Sequence, residues 1–111
     1  MSKAVLVVHT QPSEPSREDE YNKWYDETHL PEVCEIPGIV SGRRFKVSDQ
    51  QVGGAPPDPA VPGYLAIYEV DSDDLKGVLD QLVSRFSDGT FHFSDALGMD
   101  PTPTTTLYEL H

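Results

Sequence analysis

Tyr21-Asn22-Lys23-Trp24-Tyr25-Asp26-Glu27-Thr28-His29-Leu30-Pro31, with Ile36-Pro37-Gly38 close behind, carries the apolar spacing around which the rest of the chain arranges itself. At about 3.6 residues per turn, Tyr21, Trp24, Tyr25 and Thr28 fall on one side of a helix, and His29 lies one turn beyond Tyr25. Asp19, Asn22, Lys23, Asp26 and Glu27 occupy the other side. The segment therefore reads as an amphipathic helix whose buried stripe is aromatic and ends in an imidazole. Its start is expected near Arg17, with Ser13 or Ser16 offering a cap oxygen and Glu18, Asp19 and Glu20 in the positive first turn. Pro31 is unsuited to an unbroken helix interior, so the helix is expected to end or kink at residues 28–30, with a short turn from Pro31 to Glu35.

Ahead of this helix, residues 4–10 are almost continuously small and apolar, the pattern of a central strand covered on both faces. Behind it, Pro37-Gly38 turns the chain into a strand over 39–47. Strict alternation there places Ile39, Arg43, Phe45 and Val47 on one side and Arg44 on the other. Four prolines and two glycines between Asp49 and Pro62 specify a long irregular hairpin loop before a third strand over 64–70. Asp71-Ser72-Asp73-Asp74 then opens a second helix, with Leu75, Val78, Leu79, Leu82, Val83 and Phe86 at helical spacing. Residues 87–103 read as an irregular linker with a turn at 94–97, and the threonine-rich run 104–110 as the last strand.

Strand, helix, strand, strand, helix, strand, joined by right-handed crossovers, gives an α+β ferredoxin-like βαββαβ plait. Its four-stranded antiparallel sheet carries both helices on one face, within a single domain spanning 1–111. The strands hold apolar residues of both parities, Leu65 and Ile67 against Tyr64, Ala66 and Tyr68, so the helix-free face needs cover as well. A second copy packed sheet to sheet would supply it, and a homodimer is expected.

The 111 residues suffice for one core. Eight Lys and Arg against 19 Asp and Glu leave a formal charge of −11, which repels phosphate backbones and anionic lipid heads. Nucleic acid and membrane are not expected partners. Cys34 is the single cysteine, which rules out an internal disulfide and fits a reducing, cytoplasmic setting. Its neighbours Glu32 and Glu35 would raise a thiol pKa. No Gly-rich phosphate loop precedes a helix, and no serine elbow is present. His29 and Glu32 stand three apart across Pro31 with no second cluster to complete a shell, so no metal site is expected.

The run from Trp24 to Val33, then Ile36-Pro37-Gly38-Ile39-Val40 and Arg43-Arg44-Phe45, resembles the EthD-like members of the dimeric α+β barrel superfamily. The specific motif covers about residues 21–45, while the order of elements matches over nearly the whole domain. The resemblance implies a homodimer whose two sheets face each other as a barrel, with a pocket between helices and sheet. The superfamily includes cofactor-free monooxygenases, polyketide cyclases, decarboxylases, muconolactone isomerases and haem-handling proteins. Several of its enzymes place a histidine on the first helix ahead of a Pro-Gly turn, and that carries over to His29 alone.

These readings make His29 the candidate general acid or base, since an imidazole titrates near neutrality and apolar surroundings favour its neutral form. Tyr21, Trp24 and Tyr25 are candidates to stack on a planar ligand. His9 would join His29 in one pocket, Arg43 would hold a carboxylate or phenolate, and Tyr64 and Tyr68 would donate hydroxyls. His92, between Phe91 and Phe93, would belong to a lid or to packing at the dimer edge. Each candidate has a plainer use: His29 bonding a carbonyl, the aromatics as core, Arg43 paired with an acid. The expected function is a small cofactor-independent enzyme acting on an aromatic or polyketide-like molecule. The alternative is a non-catalytic ligand-binding or accessory protein.

Overall fold

The computed structural model describes residues 2–111, and Met1, counted in the expected domain, lies outside them. Strand β1 spans Ser2–Thr10, β2 Ile39–Lys46, β3 Tyr64–Ser72 and β4 Thr104–Glu109, in the sheet order β2-β3-β1-β4. All three pairings are antiparallel. The α+β ferredoxin-like plait is therefore present, and β1 is central, as its continuous apolar run requires. Helix α1 spans Glu18–Trp24, α2 Leu30–Cys34 and α3 Leu75–Ser87. Ala4 and Leu6 of β1, with Ala66, Tyr68 and Val70 of β3, form one core with Tyr21, Tyr25, Val33, Val78 and Leu82 of the helices. The 49–62 loop is irregular apart from a 3-10 turn at Val52–Gly54 and a turn closed by the Val61 N–H on the Asp58 carbonyl at 3.0 Å.

The first helix departs from expectation in its middle. It neither ends at residues 28–30 nor gives way to a turn at Pro31. A π-helical turn, Tyr25–His29, joins α1 to α2, and the Leu30 N–H bonds back to the Tyr25 carbonyl five residues earlier. Tyr21, Tyr25, His29 and Val33 are all buried and stand four residues apart. On an uninterrupted α-helix each such step overshoots one turn by about 40°, so the fourth member would leave the core. The wider turn absorbs that drift and keeps all four side chains inward. Pro31 follows closely on that turn within a helix whose backbone is continuous from α1 to α2. The start differs too: Pro15–Arg17 form a 3-10 turn, and neither Ser13 nor Ser16 provides a side-chain cap to α1. In α3 the expected acidic start holds, with Asp74 accepting from the Gly77 N–H at 2.9 Å.

Strand β2 carries a second correction. Its pairing with β3 shifts between Ile39 and Ser41, so Val40 is an extra residue. The bulge inverts the alternation downstream, so Arg44 faces the helices and Arg43 faces away. The Arg44 side chain is 10% exposed and that of Arg43 67%. Gly42 lies on the same inward side as Arg44, and a Cβ there would stand 2.7 Å from the Tyr68 ring and 3.2 Å from the Cys34 sulfur. Gly42→Ala is accordingly expected to cost about 1–3 kcal/mol through overpacking. Urea denaturation measures this, and an unchanged midpoint would contradict the packing. The Cys34 thiol is pushed up in pKa, as expected, but by burial and not by the neighbouring glutamates.

Candidate functional site

His29 ends the π turn with 6% of its surface exposed. Its ring stacks on Trp24 at 5.0 Å and 15°, meets Tyr25 edge-on at 4.9 Å, and meets Phe91 edge-on at 5.4 Å. Phe93 and Phe86 complete the enclosure at 5.9 and 6.2 Å. Nδ1 is buried and makes no hydrogen bond within the chain. Burial lowers the imidazole pKa to about 4, opposed by the Glu32 charge and reinforced by the Arg44 guanidinium. At neutral pH the ring is an uncharged base with an unused polar atom inside an aromatic box.

Beside it lies a cavity of about 20 Å³, with Leu6, Val8, Val33 and Leu82 as apolar walls and Tyr25, Tyr68 and Thr105 as polar ones. The Tyr25 and Tyr68 hydroxyls are 3.2 Å apart. Burial pushes the Tyr25 pKa up to about 12 and raises that of Tyr68 as well, so both are neutral hydroxyl groups at any physiological pH. A neutral imidazole and two neutral tyrosines thus line one small space. Among the described residues no group of three or more His, Cys, Asp or Glu is placed to hold a metal.

The other sequence candidates go elsewhere. Tyr21 and Tyr64, with Tyr25, form a platform under Arg44, whose guanidinium lies 5.1, 5.2 and 4.3 Å from their ring centres. Arg44 donates to Asp26 at 2.9 Å and to Asn22 at 3.0 Å. The Tyr21 hydroxyl bonds Thr10, and the Tyr64 hydroxyl donates to Glu18 at 2.6 Å. Neither tyrosine lines the cavity at His29. Arg43 stands beside Glu69 at 3.5 Å on the helix-free face. His9 does not join His29: it shares parity with Val5 and Val7, pairs with Leu65 and Thr104, and lines a separate concavity of about 400 Å³ with Val61, Pro62 and Pro101. A larger hollow of about 540 Å³ opens at the other end of the sheet, between Val5, Glu69, Tyr108 and Leu110.

Glu32 and the three phenylalanines complete the His29 surroundings. Glu32 accepts from the His92 N–H at 3.0 Å and contacts His92 Nδ1 at 2.6 Å, and the Trp24 indole N–H donates to the His92 carbonyl at 2.7 Å. The linker between α3 and β4 is thereby fastened over the imidazole. Phe91 and Phe93 flanking His92 gave a sequence signal for such a cover. Phe86 reads only as the last apolar position of α3, and its place beside His29 is a tertiary outcome.

No protein-family model matches the chain, and no curated protein is significantly similar to it. Solved structures match it along its length. An EthD-family protein of Bacillus halodurans superposes with a TM-score of 0.59 at 13% identity, covering all of both chains. A Shewanella loihica protein provisionally described as a monooxygenase gives 0.57 at 17%, covering 100% of this chain and 97% of that one. A dimeric ferredoxin-like protein of unknown function from Thermobifida fusca gives 0.50 at 9%, covering 98% and 92%. The chain has the fold of the EthD-like, ferredoxin-like α+β proteins. No helix among the described residues is long and apolar enough to cross a membrane.

Proposed function

We propose that this chain is a small, cofactor-independent enzyme of the EthD-like type in which His29 takes a proton from an uncharged aromatic or polyketide-like molecule. The observation that carries this is the His29 Nδ1, buried without a partner, on a residue that lines one cavity with Tyr25 and Tyr68. A buried polar atom left unpaired costs stability unless something else uses it. A neutral imidazole accepts a proton from a phenol or from a carbon next to a carbonyl, and neutral tyrosine hydroxyls hydrogen-bond the oxyanion that develops. The EthD-family and monooxygenase descriptions of two fold neighbours agree with small-molecule chemistry.

In this proposal two copies pack through their helix-free sheet faces. Val5, Val7, Leu65 and Ile67 line that face, with Phe45 and Tyr108 exposed on it. The Thermobifida fusca neighbour is described as dimeric, which agrees. Arg43 and His9 then belong to the interface and not to the chemistry.

Turnover of a panel of phenols and 1,3-diketones, followed by mass spectrometry with His29→Gln as control, tests the proposal. Product from the wild type and none from a folded variant is the expected result. Equal activity in the variant removes His29 from the chemistry. Binding with no product from either protein assigns the chain to the competing reading, a ligand carrier or accessory protein.

A further inference from the structure

We infer that Phe93, latched through His92 and Glu32, forms with Phe86 a displaceable aromatic cover over His29, and that one uncharged planar ring takes the place of Phe93 beside the imidazole. The second half rests on the proposed ligand-facing role of His29, and the first half does not. The starting point is volume. A space of about 20 Å³ holds one water at most, and no aromatic ring fits it. Some part of the wall must move before anything larger reaches Nδ1.

The walls differ in how free they are to do so. Leu6, Tyr25 and Tyr68 are at most 1% exposed and are built into the sheet and the first helix. Trp24 lies on that helix, stacked on the imidazole. On the outer side, Phe86 and Phe93 stack on each other at 5.2 Å and 19°, and they are 44% and 48% exposed. Moving them away costs the least buried contact. Phe93 belongs to the linker between α3 and β4, which has no regular structure around it. The polar bonds from that cover to the first helix all converge on His92: two from Glu32 and one from Trp24. Phe91 is 3% exposed with its N–H bonded to the Arg85 carbonyl, and Asp95 pairs with Arg17, so the part between these anchors that is free to move is His92–Phe93.

The chemistry of the wall selects the ligand. Trp24 already stacks on one face of the imidazole, and Phe93, tilted at 42°, approaches it from 5.9 Å. A planar ring in place of Phe93 restores the lost ring contact with the imidazole. The two charged groups that act on His29 are both engaged, Arg44 by Asp26 and Asn22 and Glu32 by His92, which favours an uncharged ligand. Phe86 and Phe93 are then the residues that set the size of ring accepted, and Glu32 is a positioning residue for the cover.

Chemical modification tests this without needing a substrate. Diethyl pyrocarbonate reacts with neutral imidazoles, and peptide mapping reads each of the four histidines separately. His29 in the wild type should react at least about tenfold more slowly than the exposed His111, and Phe93→Ala and Glu32→Ala should each speed His29 by about tenfold with His111 unchanged. Phenol should protect His29 in both variants, and benzoate should not. An unchanged His29 rate in both variants overturns the cover, whatever His29→Gln does to turnover. Acceleration without protection by phenol, or equal protection by benzoate, overturns the uncharged-ring assignment. Glu32 lies at the periphery of the core, so its variant keeps the test open if Phe93→Ala folds poorly.

Discussion

Acidification from pH 7 to pH 4 is expected to remove about 3 kcal/mol of stability through His29 alone, and His29→Gln should abolish that loss. The imidazole titrates at about 4 in the folded chain against 6.5 for the unperturbed group. Between those values the unfolded chain binds a proton that the native protein does not, so stability rises with pH across the window. The contribution is whole above 6.5, declines as pH falls and is spent below about 4, where both states are protonated. The cause is burial among Trp24, Tyr25 and Phe91, where an imidazolium lacks solvation and Nδ1 has no acceptor. Urea midpoints at the two pH values, for wild type and variant, measure the difference. Parallel acid losses in both proteins would show that His29 is charged or solvent-accessible in the native state, and the neutral-base reading would go with it.

Arg44→Ala should destabilise the fold by about 3 kcal/mol, whereas Arg43→Ala should change it by less than about 0.5 kcal/mol. Arg44 covers three tyrosine rings with its guanidinium and bonds Asp26 and Asn22. Truncating it deprives Tyr21, Tyr25 and Tyr64 of a packed cation and leaves a void under the first helix. Arg43 is exposed, and its 3.5 Å contact with Glu69 is a surface pair. Chemical denaturation of the two variants side by side decides the matter. A larger loss from Arg43→Ala would mean that β2 pairs without its bulge.

That contrast also shows where the sequence stops being legible. Period-2 alternation counted from Ile39 puts Arg43 inside, and only the extra residue at Val40 reverses it. Backbone pairing with β3 decides this, and one strand read alone carries no trace of it. The first helix fails differently. Its four-residue spacing through Tyr21, Tyr25, His29 and Val33 is visible in the sequence and is longer than an α-helical repeat, but Pro31 invites the simpler reading of a break. Elements whose pattern is a property of one segment came through: the central β1, the second helix with its Asp74 cap, and the order of the plait. For the site, the aromatic surroundings of His29 follow from helical spacing. The roles of Phe86, Glu32 and Arg44 depend on which elements meet, and so do the places of His9 and Tyr64 away from the cavity.

Trp24 is the sole tryptophan, and its indole both faces His29 and is tethered to the backbone at His92. The protein thus carries a native fluorophore at the one spot where an observer would want it. Imidazole protonation quenches indole emission, and loss of the His92 tether wets the ring and moves its spectrum to the red. Unlabelled protein in a cuvette therefore reports protonation at this centre in real time, and would report the proposed ligand as well, with no second tryptophan to blur the signal.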